Sequence, residues 1–244
     1  MGQSTDNRLQ REKEFHNETF SSDVRKAAKK YYRSANLSKQ YYKDLILSNA
    51  TAKSALEYGC GPGSAAYDLA RAGANVHAID ISDVAIRQTL EKAQDEGLAI
   101  QASVMDAENL TFEDDSFDLV CGSGILHHLD LERSYKEIQR VLKPDGRSVF
   151  FEPLGHNPII NMYRNLTPSM RTDDEHPLLM SDLAMAEEYF EKVETKYFNL
   201  TAMLGSFIPP LSSVLNRLDA GIFRTLPFLR KHAWIVVIEF SNPR

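Results

Sequence analysis

The run Glu57-Tyr58-Gly59-Cys60-Gly61-Pro62-Gly63-Ser64 ends a short apolar stretch and opens a helix-forming one. Glycines at such a turn let the backbone approach a ligand with no Cβ in the way. A dinucleotide loop reads G-x-G-x-x-G. Here the third glycine comes one residue early, and Pro62 also departs from that pattern. A loop of this kind alone is as often structural as ligand-binding. Asp80 closes the next apolar stretch, Val76-His77-Ala78-Ile79. A carboxylate there can accept both hydroxyls of a ribose, or serve as an acid at the start of the helix that begins at Ser82-Asp83. Asp106, after a third stretch, is placed to accept from an adenine amino group, with Met105 against the ring; the plain alternative is a turn. Ile81 and Ala107 adjoin these acids, and Ser123 follows a fourth apolar stretch; the three complete the expected binding wall.

A second set of residues has the chemistry of proton transfer. His127 and His128 follow a fourth apolar stretch, Glu152 ends a fifth, and His156 comes four residues later. Histidine titrates near neutral pH, and a neighbouring carboxylate fixes its tautomer. A histidine oriented by Glu152 is therefore the simplest dyad, although one member of the pair can equally be a packing residue. The run Arg171-Thr172-Asp173-Asp174-Glu175-His176-Pro177 mixes acids with a histidine. Metal ligands need converging positions and a supporting shell. A contiguous loop run reads as solvated instead, so no metal is expected, and Arg171 and His176 read as the rim of a lid.

The elements that must position these residues alternate. Strands are expected at 55–58, 76–79, 100–104, 117–121 and 148–151, with helices at 64–72, 83–96 and 131–142 between them. This spacing argues for βαβ units, a parallel sheet and helices on both faces. Ligands bind such sheets beyond the carboxyl ends of the strands, where the residues above fall. Before the sheet, residues 1–22 read as polar and frayed at the start, and 23–49 as two helices carrying Tyr31, Tyr32, Tyr41 and Tyr42. After it come an irregular stretch to 180, a helix at 181–191, a strand at 193–199, an apolar helical region at 201–230 and a last strand at 234–240.

Taken in order, Glu57-x-Gly59-x-Gly61-x-Gly63, Asp80, Asp106, Phe117-Asp118 and Leu142-Lys143-Pro144-Asp145-Gly146 resemble the motifs of class I S-adenosylmethionine-dependent methyltransferases. The resemblance spans residues 54–152, and His127-His128 is similar to the branch acting on quinones and natural products. It implies an α/β, Rossmann-like, seven-stranded and mostly parallel sheet with a reversed last strand, an N-terminal helical cap and lid insertions. It implies S-adenosylmethionine as cofactor and S-adenosylhomocysteine as product, with Glu57 near the methionine amino end, Asp80 on the ribose and Asp106 on the adenine. The N-terminal helices would cover the cofactor, one tyrosine closing the pocket. His127, His128 and Glu152 correspond to catalytic or substrate-positioning groups. One domain is expected, divided into a cap (1–50), a cofactor half (51–152) and a lid and acceptor half (153–244).

Composition sets the remaining bounds. With 244 residues, 43% of them hydrophobic and a net charge of −6, the chain is globular and acidic, which disfavours a nucleic-acid partner. Cys60 and Cys121 read as reduced, and the polar N-terminus does not read as a signal peptide, so a cytoplasmic protein is expected. No stretch reaches the roughly 20 apolar residues of a membrane span. Leu204, Phe207, Ile208, Leu211, Val214, Leu215, Leu218, Ile222, Phe223, Leu226 and Phe228 make the region after 200 strongly apolar. They suit sheet packing, a subunit interface, an acceptor pocket or peripheral membrane contact. The expected reaction is O-methylation of an apolar small molecule (a phenol, quinol, polyketide or glycosylated metabolite). C- or N-methylation of a small molecule or peptide and a non-catalytic cofactor-binding scaffold stay open. An NAD-dependent oxidoreductase is argued against by the glycine spacing and Asp106.

Overall fold

The computed structural model describes residues 2–21, 35–62, 65–167, 175–206 and 211–244. The chain begins with helix α1 (Gly2–Ser21) and continues through α2 (Asn36–Leu47), β1 (Ser54–Tyr58), α3 (Ala65–Arg71), β2 (Asn75–Asp80), α4 (Asp83–Asp95), β3 (Ile100–Val104) and β4 (Phe117–Ser123). A 3-10 turn (Leu126–His128), α5 (Leu131–Val141), β5 (Leu142–Pro153), α6 (Pro158–Leu166), α7 (Met180–Met185), β6 (Phe190–Phe198), α8 (Ser212–Thr225) and β7 (Ile235–Pro243) complete it. The strands form one sheet in the order β3-β2-β1-β4-β5-β7-β6. Strands β1 to β5 pair in parallel, and β7 runs antiparallel to both β5 and β6. This is the mostly parallel seven-stranded α/β architecture with a reversed last strand.

Side chains alternate across a strand, and both faces of this sheet are covered. Phe150 joins Tyr135, Ile138, Phe190 and Phe240 in one core layer. Its neighbours Val149 and Phe151 point the other way, to Tyr42, Ile46, Leu69 and Trp234. Cys60 and Cys121 are buried and free. The Leu142–Gly146 run lies within β5, which starts ahead of the 148–151 expected for that strand. Leu142 pairs with Phe117 and Arg147 with Leu119, so the extra residues form a bulge between two registers.

Two boundaries differ from expectation. Residues 2–21 are helical rather than frayed. The helix expected at 181–191 ends early, because Phe190 already enters β6 against Pro243 and stacks on Phe240 at a centroid distance of 4.9 Å.

Helix α8 is fixed by one buried acid. Asp219 accepts the amides of Leu200, Thr201 and Ala202 at 2.9, 2.8 and 3.1 Å and the Thr201 hydroxyl at 2.6 Å. Removing it strands three amides that bond to a charge. Asp219→Ala is therefore expected to cost about 3–5 kcal/mol, lowering Tm by about 10 °C in a chain of this size. Thermal unfolding followed by circular dichroism checks this.

Candidate active site

The strand ends meet at a cavity of about 300 Å³, near the lower bound for small-molecule sites. Its floor is the glycine loop after β1. Gly59 and Gly61 have φ of +68° and +53°, a region L residues with a Cβ rarely adopt. A Cβ on Gly59 would also lie 2.5 Å from Cδ1 of Ile125. Ile79, Asp80 and Ile81 form one wall, Met105, Asp106 and Ala107 a second, and Ser123, Gly124, Ile125, His128 and Leu129 a third. Asp80 accepts the amides of Gly61 and Ser82, both at 2.8 Å, which fixes its carboxylate on the wall. Asp106 accepts the Glu108 amide at 2.9 Å.

Glu57 does not line this cavity. It is buried, and its two oxygens accept the Ala65 and Ala66 amides, each at 2.8 Å. An anion there caps α3 where the helix leaves its first amides unsatisfied. Gly63 and Arg171 lie outside the described residues, as do Tyr31 and Tyr32. Tyr41 and Tyr42 do not close the cavity. Tyr42 packs in the core against Phe151, and Tyr41 lies against Phe198 beneath Lys196.

The cover is α1, which presents Arg8, Leu9, Glu12, His16 and Phe20 to the cavity. Arg8 donates to the His128 carbonyl at 3.0 Å and pairs with Glu108. At the other end Asn17 meets Ser82 and Asp83, and Gln88 donates to the Phe20 carbonyl. The attachment is largely polar, and Arg8 makes two of its bonds. Arg8→Ala is expected to speed tryptic cleavage at Arg11 and Lys13 roughly 10-fold, the loss of about 1.5 kcal/mol of charge-assisted bonding.

Beside the third wall, His127 Nδ1 lies 2.7 Å from Glu152 Oε2. Glu152 is fully buried, and its other oxygen accepts the amides of Ile125 and Leu126 at 2.9 and 3.0 Å. An ionised carboxylate only accepts, so Nδ1 carries the proton and Nε2 keeps its lone pair. That nitrogen faces Glu175 at 4.0 Å, and Glu175 is held by Arg164 at 2.6 Å. Burial and the charge of His128 depress the His127 pKa, outweighing Glu152. For His128, burial is outweighed by Glu12, 3.3 Å away, and its pKa rises. The two rings lie 4.3 Å apart and are pushed in opposite directions.

His156 does not join them. Its Nε2 accepts the Met180 amide at 3.3 Å and its carbonyl accepts from His232. Glu175, read from sequence as part of a solvated run, is instead drawn inward. The His176 amide donates to the His127 carbonyl at 2.9 Å, and Leu178 bridges to Leu154. Burial raises the Glu175 pKa, but the histidines and Arg164 outweigh it and hold it low. Two trios, Glu12-His16-His128 and His127-His128-Glu175, bring one ligand-type atom each within 4.8 Å; these are the described residues closest to a metal-ligand arrangement.

Residues 56–150 match the family model described as a methyltransferase domain. The chain is 37% identical over 103 residues to the glycine/sarcosine/dimethylglycine N-methyltransferase of Actinopolyspora halophila, covering 41% of this chain and 18% of that protein. It is 32% identical over 106 residues to a ubiquinone biosynthesis O-methyltransferase of Coxiella burnetii, covering 43% and 45%. In both cases the match spans less than half of the relative. Geranyl diphosphate C-methyltransferase from Streptomyces coelicolor A3(2), solved with Mg2+, geranyl diphosphate and S-adenosyl-L-homocysteine, superposes with a TM-score of 0.61 at 13% identity, over 84% of this chain and 79% of that one.

Proposed function

We propose that this chain, which has the sheet and ordered motifs of the class I S-adenosylmethionine-dependent methyltransferases, moves a methyl group to a hydroxyl of an apolar small molecule with His127 as base. The observation that carries the reading is the His127–Glu152 pair at 2.7 Å beside a cavity walled by the ends of β1, β2 and β4. In the functional division that follows, residues 51–152 hold the cofactor, 1–50 cap it, and 153–244 face the acceptor.

The residues present fit the cofactor. The positive-φ glycines offer a floor free of Cβ atoms, Asp80 suits a ribose diol and Asp106 an adenine amino group, with Met105 beside the ring. When bound, S-adenosylmethionine supplies an activated methyl on a sulfonium. What remains for the chain is orientation, worth effective molarities of about 10⁵–10⁸ M, and removal of a proton. His127 Nε2, with its lone pair, accepts the acceptor's hydroxyl proton. Glu152 keeps the tautomer and steadies the imidazolium that forms. A positioned base of this kind contributes roughly 10²–10⁴-fold.

The relatives' names span N-, O- and C-methylation, so the acceptor atom rests on the dyad and not on them. Transfer of a labelled methyl group from S-adenosylmethionine into metabolite extracts, fraction by fraction, tests the reading, with Asp80→Ala as control. Label in an alkali-stable ether of a hydroxylated, apolar product is the expected result. Label on nitrogen or carbon overturns the hydroxyl assignment. Tight S-adenosylhomocysteine binding with no transfer to any fraction supports a scaffold instead.

A further inference from the structure

Helix α8 packs Phe223 into the core and leaves an apolar stripe on its outer surface. Its one acid, Asp219, is buried and fully engaged. Leu211, Val214 and Leu218, spaced three and four apart, form one stripe on the helix surface, and all three are exposed, Val214 by 56% and Leu218 by 50%. A helix packed on a core turns its leucines inward. Arg217 and Arg224, seven residues apart, run along the flank of the stripe, both exposed. The turn that follows exposes Leu226 and, by 65%, Phe228, beside exposed Arg230 and Lys231. Residues 211–232 thus carry four cations against the single acid, net +3 with histidine neutral, in a chain of net charge −6.

A second apolar stripe stands on α6. Ile159, Met162 and Leu166 on α6, at spacings of three and four, are exposed. The base of α6 is tied to the turn after α8, for Asn157 Nδ2 donates to the His232 carbonyl at 2.7 Å and His232 Nδ1 to the His156 carbonyl at 3.0 Å. Single exposed leucines need no explanation. An apolar stripe with a basic flank, repeated in the adjoining turn, has the make-up of an interfacial helix.

We propose that the surface of α8 and the turn 227–232 docks on an anionic lipid bilayer, with Val214, Leu218 and Phe228 at the acyl boundary and Arg217, Arg224, Arg230 and Lys231 on headgroup phosphates. A second copy of the chain fits less well, because a two-fold contact through this face sets its cations against one another. Among the described residues no helix is long and apolar enough to cross a membrane, so the contact is peripheral. The proposal is independent of what the cavity binds.

Co-sedimentation of the full chain with vesicles tests it, using phosphatidylcholine alone and phosphatidylcholine with an equal part of phosphatidylglycerol. Binding is expected to the anionic vesicles only, and to weaken as salt screens the charges. The double variant Leu218→Glu/Phe228→Glu should lower partitioning at least about 10-fold. The triple variant Arg224→Gln/Arg230→Gln/Lys231→Gln should lower it roughly 100-fold, about fivefold for each charge removed near the surface. All five side chains are exposed, so an unchanged Tm certifies that both variants are folded. Absence of vesicle binding, equal binding to neutral vesicles, or binding indifferent to both variants overturns the proposal. A concentration-dependent dimer lost in the double variant, without vesicle binding, overturns it in favour of a chain–chain interface.

Discussion

Glu152→Gln is expected to lower the proposed methyl-transfer rate by about 10²–10⁴-fold with the fold intact. The expectation follows from which atoms the substitution spares. Glutamine's oxygen can still accept the amides of Ile125 and Leu126 that Glu152 Oε1 accepts now. Its NH₂ group, however, then meets His127 Nδ1, where Glu152 Oε2 stands at 2.7 Å. A donor there turns Nδ1 into an acceptor and moves the ring proton to Nε2, which can no longer take a proton from a hydroxyl. In serine proteases the equivalent Asp-to-Asn change costs about 10⁴ in kcat for the same reason. The variant's affinity for S-adenosylhomocysteine, measured by calorimetry, should be unchanged, since neither His127 nor Glu152 lines the cavity. Full activity of Glu152→Gln across pH sinks the dyad.

The same pair fixes a pH dependence. Burial, then the charge of His128, holds the His127 pKa below its ordinary value of 6.5. The rate of the native enzyme should therefore rise with pH through a value below 6.5 and level off above it. Stability moves in the same direction. In the window between the depressed folded value and 6.5 the unfolded chain binds more protons, so stability rises with pH there. The penalty is complete below the folded value and gone above 6.5. In Glu152→Gln the rate rise should vanish, which separates a catalytic from a purely structural role.

Much of this was legible in the sequence because it depends on periodicity and spacing. The parallel strands alternate with helices except between β3 and β4, and Gly59, Gly61, Asp80 and Asp106 mark strand ends that line the cavity. The His127–Glu152 pairing could be anticipated because His127 follows β4 and Glu152 closes β5, and these strands are adjacent in the sheet. The resemblance implied N-terminal helices as the cover, but which helix docks there was not legible. Helix α1 turns Arg8, Glu12 and His16 as well as Leu9 and Phe20 to the cavity, so no continuous apolar stripe marks it as a docked helix. Only the run of good helix formers at Arg8-Leu9-Gln10-Arg11-Glu12-Lys13-Glu14 hinted at it. Glu175 was hidden for another reason. Nothing local distinguishes it from Asp173 or Asp174; long-range backbone bonds from His176 and Leu178 bring it to His127. In α8 the apolar residues were plain, but whether they face in or out depends on Asp219, whose partners lie 17 to 19 residues away.

Asp80→Ala should weaken S-adenosylhomocysteine binding roughly 100–1000-fold, the second of the two large effects. Two charge-assisted hydrogen bonds to a ribose diol, at about 1.5–3 kcal/mol each, account for most of that. The remainder comes from the loop itself. Asp80 accepts the amides of Gly61 and Ser82 at 2.8 Å each, so it ties the glycine turn to the start of α4. Without it Gly61, at φ +53°, has lost the anion that steadies its left-handed conformation. Asp80→Asn separates the two contributions. The amide oxygen can replace one acceptor but not both, and its charge is gone, so an intermediate loss of about 10-fold is expected for the ligand with little change in Tm. Calorimetry with S-adenosylhomocysteine and with NAD, run on all three proteins, reads this out. If Asp80→Ala binds S-adenosylhomocysteine as tightly as the native chain, or if NAD binds in its place, the cavity does not hold a ribose at Asp80, and the assignment of β2's end as the cofactor wall fails with it.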